Sequence, residues 1–235
     1  MYTGPHIVTD GLIFGIDAAS ERSYPGSGTN WVDIVGDSNC ALVNGPTFDS
    51  GNGGSIVLDG LDDYVLRSTT PTELQGDPSF TISMWVKRLS NGANYAGIWG
   101  FGGNATNGGI NSWWFQNVNE ITIDTWSRAT FTSGQTYPLN EWVFVTWQKT
   151  AGAMTRANCT IWKNTTSYTG NDLTVLRAES TAPNINNSGI VLGTIHSTYT
   201  PVVNFQYANT LIYNRVLTAS EVIQNYNAQK SRFGL

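Results

Sequence analysis

The sequence predicts an all-β domain, a sandwich or barrel closed by one short C-terminal helix. Three observations predict it. Short apolar and aromatic runs recur along the whole chain, separated by Gly, Asn and Pro turns. The clearest of them, Ser79–Lys87, alternates with period two, placing Phe80, Ile82, Met84 and Val86 on one face and Thr81, Ser83, Trp85 and Lys87 on the other. Only residues 218–229 read as a convincing helix, and they open on a capping box, Thr218-Ala-Ser-Glu221.

In chain order, Gly11–Asp17 is a strand, and residues 20–54 follow as a loop-rich stretch broken by Pro25-Gly26, Asn44-Gly45-Pro46 and Gly51–Gly54. Ser55–Asp59 and Tyr64–Arg67 flank Gly60-Leu-Asp-Asp63, a spacing that predicts a hairpin. After Ser79–Lys87 come strands at 96–101, 112–116, 120–124, 142–149, 159–163, 190–193 and 206–213. In the helix, Val222, Ile223 and Tyr226 form an apolar stripe for docking on a sheet.

A chain of 235 residues with no composition break and no internal repeat is read as one domain, 1–235. Its 9 Trp, 10 Tyr and 9 Phe supply an aromatic core, while charged residues make up 12% against the ordinary ~25%. Uncharged polar side chains must therefore cover the surface. The net charge is −5 and Lys87-Arg88 is the one basic pair, which argues against nucleic acid as a partner. No apolar run approaches the ~18 residues of a membrane span. The N-terminal residues lack the basic and apolar regions of a secretory signal, so the expectation is a trimmed chain or exit by a route other than secretion. Cys40 and Cys159 sit in no CxxC or Cys/His cluster and read as two buried thiols, with a single disulfide as the alternative.

An ordered series of runs stands out: Gly11-Leu-Ile-Phe-Gly-Ile-Asp-Ala18, Gly54-Ser-Ile-Val-Leu-Asp-Gly-Leu-Asp-Asp-Tyr-Val65 and Phe80-Thr-Ile-Ser-Met-Trp-Val86. Glu141-Trp-Val-Phe-Val-Thr-Trp147, Ile212-Tyr-Asn-Arg-Val-Leu-Thr-Ala-Ser-Glu-Val222 and the terminal Asn225–Leu235 continue it. The series resembles the concanavalin A-like lectin/glucanase superfamily, in the laminin-G-like form found in virion proteins of tailed phages, especially cyanophages, and Asn225–Leu235 looks like the phage form of the ending. The resemblance runs from end to end, except that residues 88–140 match poorly. It implies a jelly-roll sandwich of two antiparallel sheets. The fold hosts lectins, glycosidases, adhesion modules and structural parts alike, so it does not fix the ligand.

Hydrolases of this superfamily carry Glu-x-Asp-x-Glu on one strand face. Glu120-Ile-Thr-Ile-Asp124 departs from it, with Thr in the middle and the shorter Asp at the end. Residues four apart on a strand are ~13 Å apart at Cα, whereas retaining chemistry needs carboxyls ~5–5.5 Å apart. This strand is therefore read as an ordinary solvent-facing edge, and the protein as a non-enzyme. Resemblance to lectins makes Trp99, Trp113, Trp114 and Trp126 candidates for stacking on sugar rings or for protein contact. Asp59, Asp62 and Asp63 are candidate hard-oxygen ligands for Ca²⁺, with Asp17 as an extra; the same residues suit a tight turn. Relatives often place an acid just before the Ile-Tyr-Asn-Arg strand, where this chain has Ala208-Asn209, which weakens the metal reading. His6 and His196 are too few for zinc.

The expectation is a non-enzymatic virion protein, preferably a capsid decoration protein bound to other particle proteins, as a homo-oligomer or a capsomer-bound monomer. The alternative is a carbohydrate-binding tail or fibre protein that attaches to cell-surface glycans.

Overall fold

The computed structural model describes residues 5–36, 38–91, 95–103, 108–115, 120–125, 128–198 and 204–235, without the side chains of residues 114 and 115. Among these, two antiparallel sheets stack face to face. The eight-stranded sheet runs β14 (Thr166–Thr169), β13 (Cys159–Lys163), β12 (Trp142–Lys149), β7 (Phe80–Arg88), β17 (Phe205–Tyr213), β5 (Ser55–Val57) and β4 (Thr47–Asp49), with β1 (Leu12–Asp17) also paired to β17. The nine-stranded sheet runs β15 (Thr174–Arg177), β11 (Ala129–Thr136), β10 (Glu120–Thr125), β9 (Gly109–Phe115), β8 (Ala96–Gly102), β16 (Ile190–Leu192), β6 (Tyr64–Arg67), β3 (Asn39–Val43) and β2 (Asn30–Val32). The predicted sandwich of two antiparallel sheets with one short helix is the observed fold.

Period-two alternation builds the interior. Phe80, Ile82, Met84 and Val86 of β7 point between the sheets, with Ile121 and Ile123 of β10 and the stacked Trp99–Phe101 pair of β8 in the same core. The other face of β7 is buried as well. Trp85 joins Phe144, Trp162, Leu211 and Tyr213 in a second cluster on the outside of the eight-stranded sheet, roofed by α1 (Ala219–Gln229) and the turn that follows it. The capping box forms as predicted: Thr218 accepts from the Glu221 N–H and Glu221 accepts from the Thr218 N–H. Arg215 then grips the Glu221 carboxylate at 2.6 and 2.9 Å, which holds that carboxyl down at about 2. Asn225, fully buried in the helix, accepts from the Val8 N–H and donates to the Tyr213 hydroxyl. No described helix is long and apolar enough to cross a membrane.

The predicted hairpin between Ser55–Asp59 and Tyr64–Arg67 does not form. β5 pairs with β4 and β17 in one sheet, and β6 pairs with β3 and β16 in the other. The Gly60–Asp63 turn is therefore a crossover between layers, a choice that local turn chemistry does not encode. The 20–54 stretch also carries β2, β3 and β4, which are too short for alternation to stand out among their turns. Gly97 and Gly100 interrupt the apolar run of β8 for a steric reason. A Cβ at either would lie 2.2–2.3 Å from the Ile195 main chain, which packs across that strand.

Cys40 and Cys159 are free buried thiols, each pushed up to about 12 by burial. Lys149 is the one fully buried lysine side chain in an ion pair among the described residues: its Nζ meets Asp77 at 2.6 Å and donates to the Thr150 and Gly152 carbonyls. Asp77 also accepts from the Gly152 N–H. Asp77→Ala would leave the ammonium with two carbonyl acceptors but no counter-charge, and that N–H without its acceptor. Chemical denaturation should show a loss of about 3 kcal/mol; a loss below about 1 kcal/mol would mean that water replaces the carboxylate.

Candidate functional site

Among the described residues no helix roofs the outer face of the nine-stranded sheet, and its side chains follow from register. Ile121 and Ile123 point into the core, so Thr122 and Asp124 point outward. Asp124 lies opposite Asn111 of β9 and Thr130 of β11, and Thr122 bonds the Trp113 main chain, bringing Trp113 to the same face. Tyr95 leans over Trp113 with ring centroids 5.0 Å apart. It does so from φ +66°, a left-handed conformation that bulky side chains rarely adopt. Tyr95, Trp113, Thr130, Leu176 and Arg177 line a cavity of 160 Å³. Tyr95 is 46% exposed, whereas Trp113 is only 7% exposed.

Beneath this cavity lies Asp124, 5% exposed. Burial pushes its carboxyl up to about 7, against the opposing pull of the Thr130 hydroxyl, the Arg177 charge and the Asn111 and Trp113 side chains. The Thr130 hydroxyl donates to it at 2.5 Å. The Oδ1 of Asn111, buried next to it, has no hydrogen-bond partner. Glu120, at the other end of β10, accepts from the Thr132 hydroxyl at 2.6 Å. The arrangement offers an aromatic ledge, a cation at the rim and a carboxyl that can hold or release a proton near neutral pH.

The other sequence candidates scatter. Trp99 is fully buried between the sheets, edge-on to Trp147, and presents nothing to a ligand; its expected contact role is corrected. Trp126 and the side chain of Trp114 lie outside the described residues. Asp59, Asp62 and Asp63 do converge, with ligand atoms within 4.8 Å of one another. They also build the turn: Asp59 accepts from the Leu61 N–H, and buried Asp63 accepts from the Asp59 N–H. Burial, then the neighbouring Asp59 and Asp62 charges, raise the Asp63 carboxyl. Three carboxylates would supply three of the ~6–8 oxygens that Ca²⁺ takes. Asp17 is not among them, because Arg232 holds it at 2.7 Å. Sequence reasoning singled out Trp113 but missed Tyr95, Thr130 and Arg177. The latter two lie on β11 and β15, strands it had not recognised.

No family model and no curated protein matches the chain. Solved structures do. Trypanosoma rangeli sialidase in complex with sialic acid is 15% identical with a TM-score of 0.68, over 97% of this chain and 35% of that one. Domain 4 of a GH43 extracellular arabinanase from Geobacillus stearothermophilus, in complex with arabinotriose, is 14% identical with a TM-score of 0.64, over 92% of this chain and 98% of that one. The binding domain of botulinum neurotoxin serotype D is 15% identical with a TM-score of 0.63, over 94% of this chain and 52% of that one.

These comparisons, with the geometry, correct the expectation of a non-enzyme. Sialidases with sialic acid and with a covalent 2,3-difluorosialic acid intermediate are among the similar structures, and this chain spans 35–36% of their length. The physical ground for excluding chemistry also fails at one residue. β10 is not an edge, since it sits between β9 and β11, and Asp124 is not solvated. At 14–15% identity the likeness is one of fold. The chain is a two-sheet β-sandwich, a fold that also occurs within the sialidase and arabinanase chains.

Proposed function

We propose that this domain recognises a glycan on the outer face of its nine-stranded sheet, with exposed Tyr95, backed by the nearly covered Trp113, stacking on a sugar ring. The observation that carries this reading is the Tyr95–Trp113 ledge over buried Asp124, with Arg177 at the rim. A flat aromatic face suits the apolar face of a ring, while hydroxyl and guanidinium groups beside it fix orientation. The small volume suits a single ring, so a terminal or protruding sugar is the ligand class. The sialic acid and arabinotriose named with the similar structures support a saccharide ligand.

The test is a glycan array followed by titration of the best ligand. Tyr95→Ala, at an exposed position, should weaken binding at least about tenfold, or about 1.4 kcal/mol. Failure of every glycan to bind, or equal binding by the variant, overturns the reading. Hydrolysis of the bound oligosaccharide that disappears in Asp124→Asn would assign proton transfer to Asp124 as well.

The proposed setting is the particle of a tailed phage, as a capsid decoration protein or a tail component. It is supported by the resemblance of residues 212–222 and 225–235 to phage laminin-G-like proteins. Quantitative mass spectrometry of purified particles should find the protein at a fixed ratio to the major capsid protein, high for a shell component and low for a tail. Its absence from particles would remove this setting and leave the glycan site untouched.

A further inference from the structure

A second cavity lies away from the Tyr95 ledge, at the mouth between the two sheets where β1 faces β6. Alternation on β6 sends Val65 into the core and gives Arg67 the same inward direction. An apolar residue would suit that position; here a guanidinium lies over the Phe14 ring, 5.8 Å from its centroid. Its Nε and Nη1 are buried and have no hydrogen-bond partner. Among the described residues no carboxylate stands within ion-pair distance of it. Arg67 as a whole is half-buried, so its two shielded, unpartnered nitrogens can take an anion that enters from solvent without first losing another partner.

The surroundings define what sort. Arg67 lines a cavity of 510 Å³, large enough for a small ligand rather than a bare ion. One wall is apolar, formed by Leu12, Ile13 and Val35, and Val35 is 42% exposed. The lining also carries Thr69, Thr72, Gln75 and Asn187, hydroxyl and amide groups suited to sugar hydroxyls, with Gln75 Nε2 and Asn187 Oδ1 already bonded to the Thr70 main chain. Glu73 also lines the cavity, where its carboxylate opposes a densely anionic ligand and can accept from a hydroxyl. We propose that this cavity binds an acidic sugar residue, whose carboxylate or sulfate ester pairs with the Arg67 guanidinium. The planar fork of arginine matches either group with two parallel N–H bonds.

The site is independent of the Tyr95 ledge, and the experiment keeps the two apart. Titration calorimetry at constant ionic strength would compare glucuronate, glucose 6-sulfate, glucose and inorganic sulfate on the wild-type chain, Arg67→Met, Val35→Asp and Tyr95→Ala. The expected result is binding of glucuronate or glucose 6-sulfate but not glucose. That binding should be at least about tenfold weaker in Arg67→Met and Val35→Asp and unchanged in Tyr95→Ala. Binding of glucuronate alone would assign a uronate, and of glucose 6-sulfate alone a sulfated sugar. Val35→Asp places a repelling charge at an exposed rim position, so it reads the site even if Arg67→Met fails to fold. No binding by either acidic sugar, equal binding by both cavity variants, or binding of inorganic sulfate alone would overturn the proposal.

Discussion

Trp85→Ala should be among the most destabilising single substitutions in this chain, lowering stability by about 3–5 kcal/mol and the midpoint of thermal unfolding by about 10 °C for a domain of this size. Trp85 lies on the face of β7 turned away from the sandwich core, where a half-exposed sheet would normally carry a polar residue. It is nonetheless fully buried, stacked on Phe233 at 4.2 Å and on Tyr226 at 5.5 Å, with Phe144 at 5.4 Å. The C-terminal segment is pinned over it at several points. Arg232 binds Asp17 at 2.7 Å and reaches the Asn52 and Gly54 carbonyls, and Phe233 also meets Trp142. Removing the Trp85 ring thus opens a cavity and unseats the roof. Phe233→Ala acts on the same contact, so the double variant should lose less than the sum of the singles by about 1 kcal/mol or more. Strict additivity would show that the roof is held by Arg232 and the helix alone. Deleting residues 218–235 would remove Val222, Tyr226 and Phe233 and uncover the rest of the second apolar cluster, and the product should aggregate.

Much of this fold was legible because its signals are local. The alternation of β7, the capping box at Thr218 and the Val222–Tyr226 stripe each rest on neighbouring residues, and the first two appear in the structure as read. Of the stripe, Val222 and Tyr226 dock in the second cluster and Ile223 does not, its place being taken by buried Asn225. The helix even explains Trp85, which alternation had placed on the face without a core. Layer assignment was not legible. Asp59–Asp63 has hairpin chemistry, yet its flanking strands go to different sheets, because the partners that claim them, β17 and β16, lie more than a hundred residues away. The candidate site was half legible for the same reason. Trp113 stood out by residue type, but Asp124 was read as part of a solvent-facing edge, because its burial comes only from β9 and β11, which flank it, and from Thr130, which caps it. Arg67 carried a usable signal that passed unnoticed: a charged residue two positions after a core valine on a short strand.

Asp124→Asn should change how stability depends on pH more than any other exchange of one polar group. In the unfolded chain this carboxyl titrates near 3.8, and in the folded chain near about 7. Between those values the folded state keeps a proton that the unfolded state has lost, so stability must fall as pH rises from about 4 to about 7 and level off above. At ~1.4 kcal/mol per unit the whole fall is about 4 kcal/mol at most. Asp63, also raised by burial, adds to the fall, whereas His196, lowered by burial, opposes it. Glu221 keeps its full contribution above about 4.5 and loses it as pH falls from there toward about 2, below the pH 5–8 comparison. The diagnostic is therefore the difference between wild type and Asp124→Asn in urea titrations at pH 5 and pH 8. Asparagine can still accept from Thr130 and never ionises, so its advantage should grow with pH by a few kcal/mol. A constant difference across that interval would mean that Asp124 is already ionised in the folded protein, held by Arg177. The expected outcome carries a functional consequence. A carboxyl that destabilises the fold at neutral pH, under a tyrosine held at positive φ, is strain concentrated in one place, and strain of that kind is characteristic of a surface that binds or reacts.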